Sequence, residues 1–166
     1  MQIRKALPID ALGITIVNVY TWKTQYTGLL PDELIDLRIR EIKKNSDSIK
    51  KRIENGTNYY VALEENTIVG FCSFGKSREE EYKDYGEIYA IYNLEGFKGN
   101  GIGRSFFDIA IKYFKEQGFE KFIVKCLVNN PSEEFYKHMG GEIISKTQIE
   151  KCGFKIDENI FVFDVK

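Results

Sequence analysis

A chain of 166 residues with 43% hydrophobic content, 12 Phe and 10 Tyr can build one domain with a sizeable core, and it is too short for two, so 1–166 are read as a single domain. Its 24 basic and 25 acidic residues cancel to a net charge of −1, which leaves no global field for nucleic acid or an anionic membrane surface. No run approaches the ~18 apolar residues of a membrane span and the N-terminus has no sustained apolar leader, so the expected location is the cytoplasm.

Residues 2–6 read as a short strand. Pro8-Ile9-Asp10 then opens a helix whose apolar positions Leu12, Ile16, Val19 and Tyr20 keep helical spacing as far as Trp22, before Gly28 breaks it. Pro31-Asp32-Glu33 suits the first turn of a second helix, and Ser46 or Asp47 is placed to cap a third that ends near Asn55-Gly56. From 59 the pattern changes to two strands, 59–63 and 67–74, joined by Glu64-Glu65-Asn66 as a hairpin turn. A charged loop follows over 76–84. In it Glu79, Glu80, Glu81 and Asp84 form either a solvated run or an acidic rim that gathers cations.

Residues 87–93 are β-branched and aromatic, as in a largely buried strand. After Gly103 the residues Phe106, Ile109, Ala110, Tyr113 and Phe114 make the stripe of a helix packed on a sheet, with Gly118 placed to cap its end. A strand over 122–128, a short helix over 131–139 and a closing antiparallel pair, 142–148 with 159–165, complete the order. Cys72, Cys126 and Cys152 are odd in number and widely spaced, and are read as reduced thiols. With one histidine, His138, and no Cys-x-x-Cys pair, no metal is expected.

Between the strand and the helix lies Lys98-Gly99-Asn100-Gly101-Ile102-Gly103-Arg104. Glycines on alternate positions at a helix start can admit an anion to free backbone N–H groups and the positive helix end, or can serve only a tight turn. A P-loop is excluded, because no Gly-x-x-x-x-Gly-Lys-Ser/Thr run occurs. A dinucleotide fingerprint is excluded as well, since a start at Gly99 meets Arg104 at its last glycine and a start at Gly101 meets Phe106.

The remaining Lys98-x-x-Gly101-x-Gly103 spacing resembles the Gln/Arg-x-x-Gly-x-Gly/Ala motif of the GNAT family of acyl-CoA-dependent N-acetyltransferases. The strand Glu87-Ile88-Tyr89-Ala90-Ile91-Tyr92 before it, and the segment from Asn130-Pro131 through Phe135-Tyr136 to Gly140 after it, resemble two further family segments in the right order. The fold this resemblance implies is mixed α/β: a mostly antiparallel sheet flanked by helices on both faces, with a central splayed parallel strand pair. It implies acetyl-CoA as cosubstrate, with the backbone of Ile91 and Asn93 pairing with the pantetheine arm. Lys98, Gly99, Asn100, Gly101, Ile102, Gly103 and Arg104 would wrap the pyrophosphate, and Asn130 would bond the arm.

Four positions depart from the family pattern: Lys98 stands where Gln or Arg is usual, Asn93 where the family has valine, Glu95 where it has proline and Ser132 where it has alanine. By the same resemblance Tyr136 hands a proton to the departing thiolate, where the plainer alternative is a core tyrosine on an amphipathic helix. Glu87 takes the proton of the incoming ammonium, directly or through water, or is only a strand-edge surface glutamate. Trp22 and Tyr26 line the acceptor pocket or simply pack. His138 is read as a solvated helix residue.

The expected activity is transfer of acetyl to a primary amine by direct attack in a ternary complex, the acceptor being a small molecule such as a polyamine or an amino-acid-like compound. No cysteine lies in either motif, so no acyl-enzyme is expected. The rivals are a non-catalytic acyl-CoA-binding module on the same fold and a protein N-terminal or lysine acetyltransferase. Neither nucleic acid nor membrane is an expected partner, and the chain is expected as a monomer or homodimer.

Overall fold

The computed structural model describes every residue from Met1 to Lys166. In chain order the elements are β1 (Gln2–Lys5), α1 (Ala11–Gln25), α2 (Asp32–Arg40), α3 (Ile42–Glu54), β2 (Asn58–Glu64), β3 (Thr67–Lys76), β4 (Gly86–Asn93), α4 (Ile102–Glu116), β5 (Lys121–Leu127), α5 (Ser132–His138), β6 (Glu142–Lys151) and β7 (Phe154–Asp164). The seven strands form one sheet in the order β1-β2-β3-β4-β5-β7-β6. Every pairing is antiparallel except β4 with β5. This is the mixed, mostly antiparallel sheet with one central parallel pair that the resemblance implies.

The parallel pairing is short. Only Gly86, Glu87 and Ile88 face Phe122, Ile123 and Val124, although β4 runs on to Asn93 and β5 to Leu127. Beyond Val124 the strands splay, and the β4 edge from Tyr89 to Asn93 has no β5 partner. A bulge adds to the divergence: on the β3 side the register jumps from Ser73 opposite Ala90 to Phe74 opposite Ile88, which leaves Tyr89 unmatched.

One face of the sheet is covered by α4 and α5. There Phe106, Phe107, Ala110 and Phe114 of α4 pack on Phe74, Ile88, Phe122 and Phe163 in a core rich in aromatic pairs. The expected stripe is rotated slightly, since Phe107 is fully buried while Ile109 and Tyr113 are only partly covered. Gly118, at φ 78°, ends α4 with Phe119 N–H donating to the Phe114 carbonyl (3.0 Å).

The opposite face carries α1, and here the expected packing stripe is wrong. Leu12, Ile16 and Tyr20 are 51%, 52% and 48% exposed, while Ala11, Ile14, Val17 and Trp22 point inward with Thr15 and Thr21. The helix is apolar on nearly every side, so period alone could not choose the buried face. The position of the third helix also differs. Ser46 and Asp47 lie inside α3, which starts at Ile42, because Ile49 and Ile53 pack under the sheet on a face that extends upstream of Ser46.

The closing hairpin reaches further than expected, to Lys151 opposite Phe154 instead of stopping at 148 and resuming at 159. Its two-residue turn, Cys152-Gly153, has φ of 52° and 81°, the primed geometry that usually selects Asn or Asp before Gly. No helix is long and apolar enough to cross a membrane.

Candidate active site

The splay of β4 from β5 opens a cleft of about 840 Å³ through the middle of the sheet. One end is the glycine turn. Gly99 and Gly101 adopt φ of 79° and 77°, with open space where a Cβ would stand, whereas Gly103 has no such φ and a Cβ there would meet the Phe135 ring at 3.1 Å. The alternate glycines therefore do two jobs: two permit a left-handed turn and the third lets α5 approach α4.

Gly101 precedes α4 without a side-chain cap. From Gly99 to Arg104 no main-chain N–H finds an acceptor in the protein; Ser105 is the first that does, donating to the Gly101 carbonyl at 3.0 Å. A row of free N–H donors at the positive end of a 15-residue helix is a seat for a phosphate or pyrophosphate. Lys98 is half-exposed and paired with Glu95 (2.7 Å), a surface contact that costs little to give up to a phosphate. Of the residues expected around this seat, Lys98, Gly99, Gly101, Ile102, Gly103 and Arg104 line the cleft and Asn100 does not.

Along the cleft, Ile91 and Asn93 present the unpaired β4 edge. The Asn93 amide fills the space beside Gly70, and its buried Oδ1 has no partner. Asn130, buried across the gap, accepts the Ser132 N–H (2.8 Å) and so starts α5 while lining the cleft.

Tyr136 follows on α5, its ring fixed against Phe107, Phe135 and Phe161. It is buried yet lines the cleft, and burial pushes its phenol well above the usual value, so it holds its proton at any working pH. Cys126 also lines the cleft, but burial pushes its thiol up to about 12, which leaves no thiolate to act as nucleophile.

Glu87 is not on the surface. It is 1% exposed, and both carboxylate oxygens are engaged by Arg78: Nη2 at 2.6 Å from one and the main-chain N–H at 2.7 Å from the other. The Arg78 guanidinium also lies over the Tyr89 ring, 4.0 Å from its centroid.

The far end of the cleft has an aromatic wall. Trp22 and Tyr26 pack 5.4 Å apart, and the Tyr26 hydroxyl donates to that of Tyr92 (3.2 Å). Trp22, Tyr26 and Glu87 thus share one cleft with Tyr136 and the glycine turn. The acidic loop does not reach it: Glu79 pairs with Lys125, Glu80, Glu81 and Asp84 are exposed, and none of the four lines the cleft. Four charged residues escaped the sequence reading: Arg78, Lys151 and Glu158, which line the cleft, and Arg38, which lies over the Trp22 ring. Lys151 and Glu158 belong to the stretch of the closing hairpin that the sequence left unassigned.

Comparison with known proteins agrees with this geometry. The family model described as Acetyltransferase (GNAT) family matches residues 18–140. An uncharacterised N-acetyltransferase of Bacillus subtilis (strain 168), YuaI, is 32% identical over 160 residues, covering 95% of this chain and 90% of its own. Among solved structures, a GCN5-related N-acetyltransferase from Rhodopseudomonas palustris superposes with a TM-score of 0.80 at 16% identity over 98% of this chain and 94% of that one. The PaiA N-acetyltransferase of Thermoplasma acidophilum, solved in complex with coenzyme A, gives 0.77 at 20% identity over 98% of both chains.

Proposed function

The chain belongs to the GNAT family of acetyltransferases, which act on acetyl-CoA, and from that premise we propose that it acetylates a small primary amine by direct attack in a ternary complex held in the splayed cleft. The observation that carries this reading is the continuity of one cleft from the free N–H groups of Gly99–Arg104, past Tyr136, to the aromatic wall of Trp22 and Tyr26. Acetyl-CoA supplies an activated thioester. In this reading Gly99 to Arg104 hold its pyrophosphate and the open edge at Ile91 and Asn93 pairs with its arm.

The chemistry asked of the protein is proton management. An amine that arrives as an ammonium loses a proton before its lone pair forms the C–N bond, and the C–S bond then breaks with charge developing on sulfur. Glu87 receives the ammonium proton. Each of its oxygens keeps a lone pair beyond the bond to Arg78, so a water in the cleft can relay the proton to it; the carboxyl is then neutral, and the two hydrogen bonds from Arg78 hold it in place until the proton passes on to solvent. Tyr136 donates a hydrogen bond that strengthens as the thiolate forms, and its raised pKa keeps the donor protonated until that moment. Cys126, held as a thiol, is left out of the reaction, which supports direct transfer over an acyl-enzyme.

A cytoplasmic location belongs to the same proposal, and the three free cysteines support it. The discriminating experiment is thiol release from acetyl-CoA with a panel of amines, read beside calorimetric binding of CoA. Amine-dependent release supports the enzyme; tight CoA binding with no release from any amine overturns it in favour of a non-catalytic binding module. Exclusive acetylation of protein N-termini or lysines overturns the small-molecule part alone.

A further inference from the structure

Three residues lining the cleft carry a buried polar atom without a partner: Asn93 toward the glycine turn, and Trp22 and Glu158, whose unpartnered atoms are a donor and an acceptor. The Trp22 indole is nine-tenths buried, and its Nε1–H has no acceptor. Over the same ring lie two cations: Lys151, which lines the cleft, with its ammonium 5.2 Å from the ring centroid, and Arg38, which does not itself line the cleft, with its guanidinium carbon 4.2 Å away. Neither makes an ion pair: the nearby carboxylate of Glu41 is taken by Lys44 at 2.7 Å, and Glu158 lies beyond ion-pair distance. One cation over an indole is attracted by the ring face, whereas two half-buried charges at one ring also repel each other. Both basic groups are accordingly pushed below their ordinary pKa, first by burial and, for Lys151, next by Arg38. The set is three kinds of donor and no acceptor.

Elsewhere on the cleft wall the opposite shortage occurs. Glu158, on β7 opposite Leu127 of β5, has a buried Oε2 with no donor. An ordinary substrate-free cleft does not need a surplus of donors around one residue and a surplus of acceptor at another; a ligand with an anion and an ammonium satisfies both.

We infer that the acetyl acceptor is an amine that also carries an anionic group, a carboxylate or phosphate, with Arg38, Lys151 and the Trp22 indole N–H holding the anion and Glu158 facing the ammonium. This rests on the acetyl-transfer reading of the same cleft and narrows it. A polyamine is disfavoured, because its distal ammonium groups would meet Arg38 and Lys151. The strands explain the placement: Lys151 ends β6 beside the Cys152-Gly153 turn, and Glu158 is on the returning strand, so one hairpin carries both an anion-binding and an ammonium-binding group.

The test uses matched pairs of amines, each with and without the anion: L-tyrosine and tyramine, L-lysine and cadaverine, O-phosphoethanolamine and ethanolamine. The wild-type protein should favour the anion-bearing member of at least one pair by about tenfold or more in kcat/KM, chiefly through KM. The Arg38→Gln/Lys151→Gln double variant should bring that ratio near one with its acetyl-CoA Kd unchanged. A wild-type enzyme that uses the anion-free members equally well, or a ratio that survives in the double variant, overturns the inference. Calorimetric binding of each pair to the CoA-saturated protein separates this from the parent reading. Absence of a binding preference overturns the anionic-acceptor site, whether or not turnover is seen; a preference without turnover overturns acetyl transfer and leaves the site standing.

Discussion

Glu87 and Arg78 are joined twice, guanidinium to one carboxylate oxygen at 2.6 Å and backbone N–H to the other at 2.7 Å. The pair ties the start of β4 to the loop after β3 at the foot of the splay. A buried carboxylate so held is fixed in direction at the wall of the cleft.

Replacing Glu87 with Gln should lower kcat/KM chiefly at low pH, with the loss shrinking as rising pH supplies free amine. A pH–rate profile checks this. A loss of equal size at every pH would remove the proton-accepting role and leave Glu87 as the anchor of the Arg78 loop.

At the other end of the cleft, Gly101 and Gly103 should respond differently to substitution. Gly101 holds a left-handed φ beside open space, so Gly101→Val strains the turn and turns the free N–H groups away from their anion. CoA affinity should fall at least tenfold, about 1.4 kcal/mol. Gly103→Val instead pushes on Phe135 and should cost thermal stability as well. Calorimetry showing unchanged CoA affinity in a folded Gly101→Val protein would sink the assignment.

Glu158 allows a prediction in which stability and activity move in opposite directions. Its pKa is raised from 4.5, first by burial, with the charges of Glu79 and Glu87 adding and that of Lys125 opposing. The folded chain therefore binds this proton more tightly than the unfolded chain, so the stabilisation it gives is complete below the unfolded value and is lost as pH rises through the folded one. Near neutral pH Glu158→Gln should raise Tm, at about 2–4 °C per kcal/mol for a chain of this size, and should flatten the pH dependence above 4.5. It should also raise KM for the amine. Thermal melts across pH decide the first half, and a variant less stable than wild type near pH 7 contradicts it.

Much of the fold was legible because the residues that form it also punctuate it. Gly118 ends α4 where its left-handed φ is needed, the β2–β3 turn falls at the predicted place, and the two motifs flank the splay they create. The failures have physical causes. In α1 the apolar residues surround the helix, and spacing cannot say that Ile14 rather than Ile16 faces the sheet. In the last hairpin, Glu150, Lys151, Asp157 and Glu158 are poor strand formers held in register by their neighbours, and a Cys at the first primed turn position hides the turn. That hairpin supplies Lys151 and Glu158, so the glycine turn, Tyr136, Trp22 and Tyr26 could be found from the sequence while these two charged groups of the cleft could not.

Tyr136 lies on α5 in the cleft that joins the glycine turn to the aromatic wall of Trp22 and Tyr26. Because its raised pKa keeps the phenol protonated throughout the usual range, removal of the hydroxyl should not change the pH profile below about pH 10 and should act on the departing thiolate alone. The decisive measurement is kcat beside acetyl-CoA affinity in Tyr136→Phe. The expected result is a Kd within about twofold of wild type and a kcat lower by ~10²-fold, the usual worth of a positioned acid. A Tyr136→Phe enzyme with wild-type kcat would contradict it and return the residue to the aromatic core between Phe107 and Phe161.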